Sequence, residues 1–111
     1  MFIASSDIIE PHQRVIIPGR STTFTCRYRA NITDPVLRII WLINGTQLDQ
    51  EDLNQRDGIE SDDLHDVGHL YFNNISVEYN DTTIRCLIFF TSSNLITSNI
   101  AILLVQGEEK Y

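Results

Sequence analysis

Phe24, Cys26 and Tyr28 alternate with Thr25, Arg27 and Arg29 along the stretch TTFTCRYR (22–29). A period of two is the signature of a strand with one buried face. PGRS (18–21) supplies the turn before it. VLRIIWLI (36–43) is β-branched and aromatic, and it ends at Asn44-Gly45. Both of those residues tolerate positive φ, so the pair favours a tight hairpin. HLYFNNI (69–75), TIRCLIFF (83–90) and NIAILLV (99–105) read as three more strands, with TSSN (91–94) as the tip between the last two. No stretch carries a convincing amphipathic helical period. Many short strands with turns at this spacing predict an all-β sandwich.

A length of 111 residues suits one domain, taken as 1–111. A chain of this size buries roughly two-thirds of its unfolded surface, enough for one core. Apolar content of 42% and charged content of 21% are ordinary globular values. The run IAILLV (100–105) is far short of the ~20 residues a spanning helix needs. The opening MFIASSD lacks a basic region followed by an apolar stretch, so no signal peptide is read there. The expectation is a module of a longer protein or a mature secreted domain, meeting a membrane only through a longer parent chain.

The sequons set the compartment. Asn-X-Ser/Thr occurs at Asn31, Asn44, Asn74 and Asn80. Four in so short a chain favour a glycosylated extracellular surface. Occupancy is expected mostly at Asn31 and Asn80, which fall in loops. An oxidising compartment permits a disulfide between the only two cysteines, Cys26 and Cys86. Two free thiols in a cytosolic protein are the alternative.

Cys26 lies on one strand, Trp41 on the next and Cys86 on a later one, with Leu70, Phe72 and Ile75 in a Leu-x-aromatic-x-x-Ile pattern before it. This arrangement resembles the immunoglobulin fold, a Greek-key sandwich of two antiparallel sheets in which the Trp packs on an inter-sheet disulfide. The resemblance covers about 7–106. It makes 7–17 strand A with A′, 21–29 B, 36–43 C, 46–49 C′, 69–75 E, 83–90 F and 97–105 G. The tight Asn44-Gly45 turn looks intermediate-type, while the long segment from C′ to E leaves room for a variable-type edge. One departure stands out. The family carries a Tyr two residues before its second Cys, where this chain has Ile84. Ile84 keeps inward parity with Cys86 and Ile88 but supplies no hydroxyl. The family's usual Asp near that corner falls at Asn80. The E–F turn is therefore expected to be held by burial, with Tyr79 as a local substitute.

Parity then sorts the faces. On strand C, Leu37, Ile39, Trp41 and Ile43 are expected inward, leaving Arg38, Ile40 and Leu42 outward. On F, Arg85, Leu87 and Phe89 point out. On G, the family's Ala-x-Leu-x-Val ending puts Ala101, Leu103 and Val105 inside and Ile100, Ile102 and Leu104 outside. C, F and G share a sheet in this fold. Its outer face would thus carry seven large apolar side chains and two arginines, where a solvated face should be polar. The other sheet shows Thr23, Thr25, Arg27 and Arg29 outside. A large exposed apolar patch usually marks an interface. A register slip in G, or cover by the segment between C′ and E, would remove it.

Residues 49–69 hold eight acids against the single base Arg56, a local charge of −7 that matches the net charge of the whole chain. The expected role is a solvated loop that covers the C′–D edge of the sandwich, where charges prevent strand-to-strand aggregation. An acidic recognition edge and a cation site are the rivals. The carboxylate spacing does not fit an EF-hand loop. His65 and His69 are four apart, which suits a metal only on a helix. With His12 these are the only histidines, and no phosphate loop or nucleophile pairing stands out, so no catalytic residue, metal or cofactor is expected. A pI near 4.7 disfavours nucleic acid.

The run LYFNNISVEYNDTTIRC followed by SNIAILLVQG is similar to Ig-like domains of invertebrate adhesion molecules and receptor tyrosine kinase ectodomains. If the parent is such a kinase, the enzyme lies outside these residues. The expectation is an extracellular recognition or adhesion module binding protein partners, itself included, through the C–F–G face. Two alternatives stand. One is an immune-type receptor binding ligand through the B–C (30–36) and F–G (91–94) loops. The other is a spacer in a tandem ectodomain.

Overall fold

The computed structural model describes residues 8–28, 33, 35–48, 58–64 and 67–107. Among them the chain forms β1 (Ile9–Glu10), β2 (Gln13–Ile16), β3 (Thr22–Arg27), β4 (Val36–Ile43), β5 (Thr46–Leu48), β6 (Ile59–Leu64), β7 (Val67–Phe72), β8 (Thr82–Phe90), β9 (Leu95–Thr97) and β10 (Ala101–Val105). One sheet runs β1-β3-β7-β6; the other runs β2-β10-β8-β4-β5, with β9 also paired to β8. All pairings are antiparallel except β10 with β2. The chain leaves the first sheet after β1 and joins the second at β2, so its first two strands close one edge of each layer.

Alternation decides which side of each strand is dry. Phe24 and Cys26 of β3 and Leu70 and Phe72 of β7 meet Trp41, Ile43, Ile84, Cys86, Ile88, Leu103 and Val105 of the opposite sheet, all buried. Full burial of each large apolar side chain stabilises by about 1.5–3 kcal/mol. A one-residue slip would expose the whole set, so register is strongly specified. Phe24 and Phe72 meet edge to face at 6.1 Å. The sheets are bridged at the centre by a Cys26–Cys86 disulfide, with the Cα atoms 6.4 Å apart.

The corner before β8 solves its missing tyrosine in two parts. Residues Val77–Tyr79 make one turn of 3-10 helix, started by Ser76, whose hydroxyl accepts from the Glu78 amide. Tyr79 packs edge-on to Phe72 at 5.8 Å, the burial foreseen for it. The corner's hydroxyl comes from Thr82, which is 2% exposed and donates to the Tyr79 carbonyl at 2.6 Å. Asn80 Oδ1 accepts from the Val105 amide at 2.9 Å, tying the corner to β10.

The structure departs from the sequence reading in four places. Leu37 is 62% exposed, not inward. The β4–β8 register shifts between Val36 and Arg38, so a bulge turns two consecutive residues outward. The strand expected at 69–75 is β7, Val67–Phe72. It ends where Asn74 takes a positive φ of 54° and Asn73 N donates to Gly58 O. Residues 59–64 are not a covering loop but a strand, β6, paired along β7. It lies at the far edge of the first sheet and so is strand D, on the C′–D edge that the acids were expected to guard. Finally, the last strand is broken. Ile96 and Ser98 turn inward, and then Ala101 does, so one extra residue is accommodated at 98–100.

That break is built from polar bonds. Ser98 N donates to Cys86 O, the Cys86 amide donates to Ser98 Oγ at 2.9 Å, and Ser98 Oγ donates to the Asn99 carbonyl at 2.7 Å. Asn99 reaches across to β1, accepting from Ile9 N at 3.1 Å and donating to Ile9 O at 3.4 Å. Its carboxamide acts as a short piece of strand that joins the two sheets.

Candidate functional site

The outer face of β4, β8 and β10 is apolar. Leu42 pairs with Arg85, Ile40 with Leu87 and Arg38 with Phe89 across β4 and β8. Ile102 and Leu104 continue the row on β10, beside Gln13 and Val15 of β2. Ile40, Leu42, Leu87, Phe89, Ile102 and Leu104 are half-buried, each shielded by its neighbours on the same face, and Ile100 is 48% exposed. The nine residues singled out by parity therefore share one sheet face. Val15 and Leu95 extend it and were not anticipated. Val15 follows from the parallel pairing of β2 with β10, and Leu95 from its place opposite Phe89 on β9. Of the five most exposed large apolar residues described, only Val77 lies off this sheet; Val15, Leu37, Leu95 and Ile100 lie on or between its strands.

The two arginines sit differently. The Arg38 guanidinium lies 5.2 Å above the Phe89 ring, a cation–π contact on the exposed part of the face. Arg85 is half-buried between Leu42 on one side and β10 on the other. It lines a cleft of about 180 Å³ with Leu42, Gly45, Thr83 and Ile100. Its Nε is shielded from solvent and has no hydrogen-bond partner. The cleft floor is held by the β4–β5 turn. Asn44 (φ 53°) and Gly45 (φ 82°) make the tight reversal, and Asn44 Oδ1 accepts from Thr83 N at 2.9 Å while Asn44 N donates to Thr83 O at 2.9 Å.

The outer face of the other sheet is polar. Asp62 of β6 links His69 Nδ1 at 3.1 Å and the Tyr71 hydroxyl at 3.0 Å, and the two rings stack at 5.9 Å. The Tyr71 phenol is pushed up from its ordinary value, chiefly because it donates to the Asp62 carboxylate. Among the described residues no group of three or more His, Cys, Asp or Glu side chains is placed to hold a metal ion. Residues 49–57 of the acidic segment lie outside the described residues, as do His65 and Asp66.

Three sequon asparagines are described and exposed. Asn44 sits in the β4–β5 turn, Asn74 in the turn after β7 and Asn80 at the end of the 3-10 turn. Asn31 lies outside the described residues, with most of the 30–36 loop. The 91–94 tip is a short closed turn, with Phe90 N donating to Asn94 O at 3.0 Å and Ser93 N to Phe90 O at 2.9 Å. It offers four small polar side chains and no aromatic ring.

No protein-family profile matches the chain, and no curated protein matches it. Among solved structures it is similar to the N-terminal Ig1-2 module of the Drosophila receptor protein tyrosine phosphatase DLAR, with a TM-score of 0.70 and 16% identity. The match covers 91% of this chain and 48% of that one, so the chain spans about half the length of the two-domain module. At this identity the likeness speaks for the fold alone. With its strand order, its inter-sheet disulfide and Trp41 packed among the core residues, this chain has an immunoglobulin-like fold.

Proposed function

We propose that this domain is an extracellular recognition module that engages a protein partner through the outer face of β4, β8 and β10. The observation that carries the reading is the asymmetry between the two sheet faces. One is polar and the other presents a contiguous row of large aliphatic and aromatic side chains. A spacer has no use for such a row, and contiguous apolar patches on soluble domains usually mark interfaces. The disulfide and the sequons support an extracellular setting. The similar module belongs to a receptor, which supports a place in a receptor ectodomain. Binding is the chemistry such a face performs. The 91–94 tip lacks the Tyr and Trp that make loop paratopes strong, which counts against ligand capture there.

The test is binding of a tetramerised domain to cell surfaces and to beads carrying the same domain. Phe89→Asp and Leu42→Asp should abolish binding in folded protein, while Ser92→Glu at the loop tip should leave it intact. Ile88→Asp should unfold the domain instead, because Ile88 is fully buried. Loss with Ser92→Glu and retention with both face variants would overturn the reading in favour of the loops.

A further inference from the structure

We propose that Arg85 is the centre of a carboxylate subsite on this face, which takes an Asp or Glu side chain flanked by apolar residues on a protein other than a second copy of this chain. The inference rests on the docking reading above.

Three observations meet at one place. The first is the unsatisfied donor. Arg85 Nε is shielded from solvent with no hydrogen-bond partner, and no ion pair to Arg85 is found among the described residues. A shielded donor left unpaired is costly, and a charged one more so. A carboxylate satisfies it only if the guanidinium turns its Nε edge into the cleft on binding. The second is the shape. The cleft beside it is about 180 Å³, with Leu42 and Ile100 as apolar walls and Thr83 contributing a polar edge. That volume suits one acidic side chain, and the walls suit its apolar neighbours. Guanidinium and carboxylate are both planar and pair through two parallel hydrogen bonds, so the cleft would select a carboxylate over a neutral amide by geometry as well as charge.

The third is the charge pattern. The chain carries a net charge of −7, yet none of the six strands of this sheet contains an Asp or Glu. Its outer face shows two cations, Arg38 and Arg85. The acids among the described strands instead sit on the first sheet, at Glu10 of β1 and along β6. Two copies docked through the same patch by a two-fold axis would bring four arginines together with no carboxylate from the described strands of either face. A partner bringing its own acid satisfies Arg85 and avoids that repulsion. Complementarity of this kind sets specificity and orientation more than raw affinity.

The probe is a blocked leucyl-glutamyl-phenylalanine tripeptide, with its glutamine counterpart as the neutral isostere. It is titrated into the wild-type domain while the arginine side-chain Nε–Hε and backbone amide signals are followed by NMR. The expected result is a saturable shift of Arg85 Nε–Hε together with the Thr83 and Gly45 amides. The glutamine peptide should bind about tenfold more weakly, the loss expected for one charge-assisted hydrogen bond. Arg85→Gln should abolish the difference between the peptides, and Arg85→Lys should recover only part of it. Sedimentation velocity on the wild-type domain should show a monomer at high micromolar concentration. Equal binding of the two peptides, a shift that never saturates, or a dimer abolished by Phe89→Asp would each overturn the proposal. The peptide titration does not involve the natural partner. Its failure therefore leaves docking through the face standing, and failure of the cell-surface test leaves the subsite standing.

Discussion

Ser98→Ala probes the break in the last strand. Ser98 is 4% exposed, and its hydroxyl accepts from the Cys86 amide at 2.9 Å. On its other side the same hydroxyl donates to the Asn99 carbonyl at 2.7 Å. Alanine removes one oxygen and strands a main-chain N–H beside a disulfide in the centre of the sandwich. Leaving a buried donor unsatisfied costs about 1–3 kcal/mol, and no apolar gain offsets it, since Ala fills less space than Ser. Taking about 2 kcal/mol, the melting temperature should fall by roughly 8–12 °C for a domain of this size. Urea unfolding should show the lower midpoint with an unchanged m-value. Thr97→Ala, next door but outward, is the control and should stay within about 0.5 kcal/mol of wild type. Hydrogen exchange gives an independent readout, because the Cys86 amide should lose protection more than its neighbours in β8. A Ser98→Ala domain with wild-type midpoint and an equally protected Cys86 amide would show that the hydroxyl is not the partner that holds this strand.

Gly58 takes a φ of 84°, and a Cβ there would run into the Asn73 carbonyl, so Gly58→Ala should destabilise by about 2 kcal/mol or more in thermal melts and loosen the start of β6. Reducing the Cys26–Cys86 bridge should cost about 2–5 kcal/mol and raise Trp41 fluorescence, since Trp41 is paired with Cys86 across β4 and β8; titratable thiols in the unreduced folded protein would contradict this. The raised Tyr71 pKa means the folded state favours the neutral phenol. The stability it contributes is present below the phenol's ordinary pKa and is lost as pH rises through the folded value. Ultraviolet titration should find one tyrosine ionising late, and Asp62→Ala should bring it back. A glycan on Asn44 would stand at the rim of the Arg85 cleft. Thr46→Ala, which removes the sequon and leaves the Asn44 bonds to Thr83 in place, should therefore strengthen binding through the face on glycosylated protein if that site is occupied, and a weakened interaction would argue against the cleft as a contact.

Much of the fold is written in period-two alternation, and alternation survives only while a ladder stays in register. The runs at 22–28 and 83–90 are unbroken, so Phe24, Cys26, Ile84 and Ile88 could be placed from the residues alone. Leu37 could not. It is as apolar as Ile39, and the bulge that turns it out is a property of how β4 pairs with β8, two segments far apart in sequence. The break at 98–100 has the same origin, but there Ala101 was placed by likeness to the family's Ala-x-Leu-x-Val ending rather than by counting from β9, so its parity was right. β6 was illegible for a different reason. IESDDL has Ile59 buried and no apolar period. It is a strand because β7 offers it a backbone partner, which no side-chain pattern reports. The corner hydroxyl was sought two residues before Cys86, where Ile84 has none to give, and it comes instead from Thr82, whose donation to Tyr79 O depends on the turn's geometry.

The candidate face combines these two kinds of information unequally. Which residues point outward on each strand follows once one inward residue is known: Trp41 sets it for β4 and Cys86 for β8, while for β10 it came from the likeness to the family's Ala-x-Leu-x-Val ending. That those strands lie side by side is non-local, and it entered the sequence reading only through the likeness to immunoglobulin domains. Adjacency is also what turns a count of arginines into chemistry. Arg85 in a string of residues is one cation among several. Placed on β8 between Leu42 of β4 and the Ile100 turn, it becomes a guanidinium whose stem is covered by apolar neighbours while its Nε has no acceptor. None of the six strands that build the face brings a carboxylate to it. On the proposed reading the negative charge that satisfies Arg85 comes from a partner, and that requirement would make the face selective for an acidic side chain.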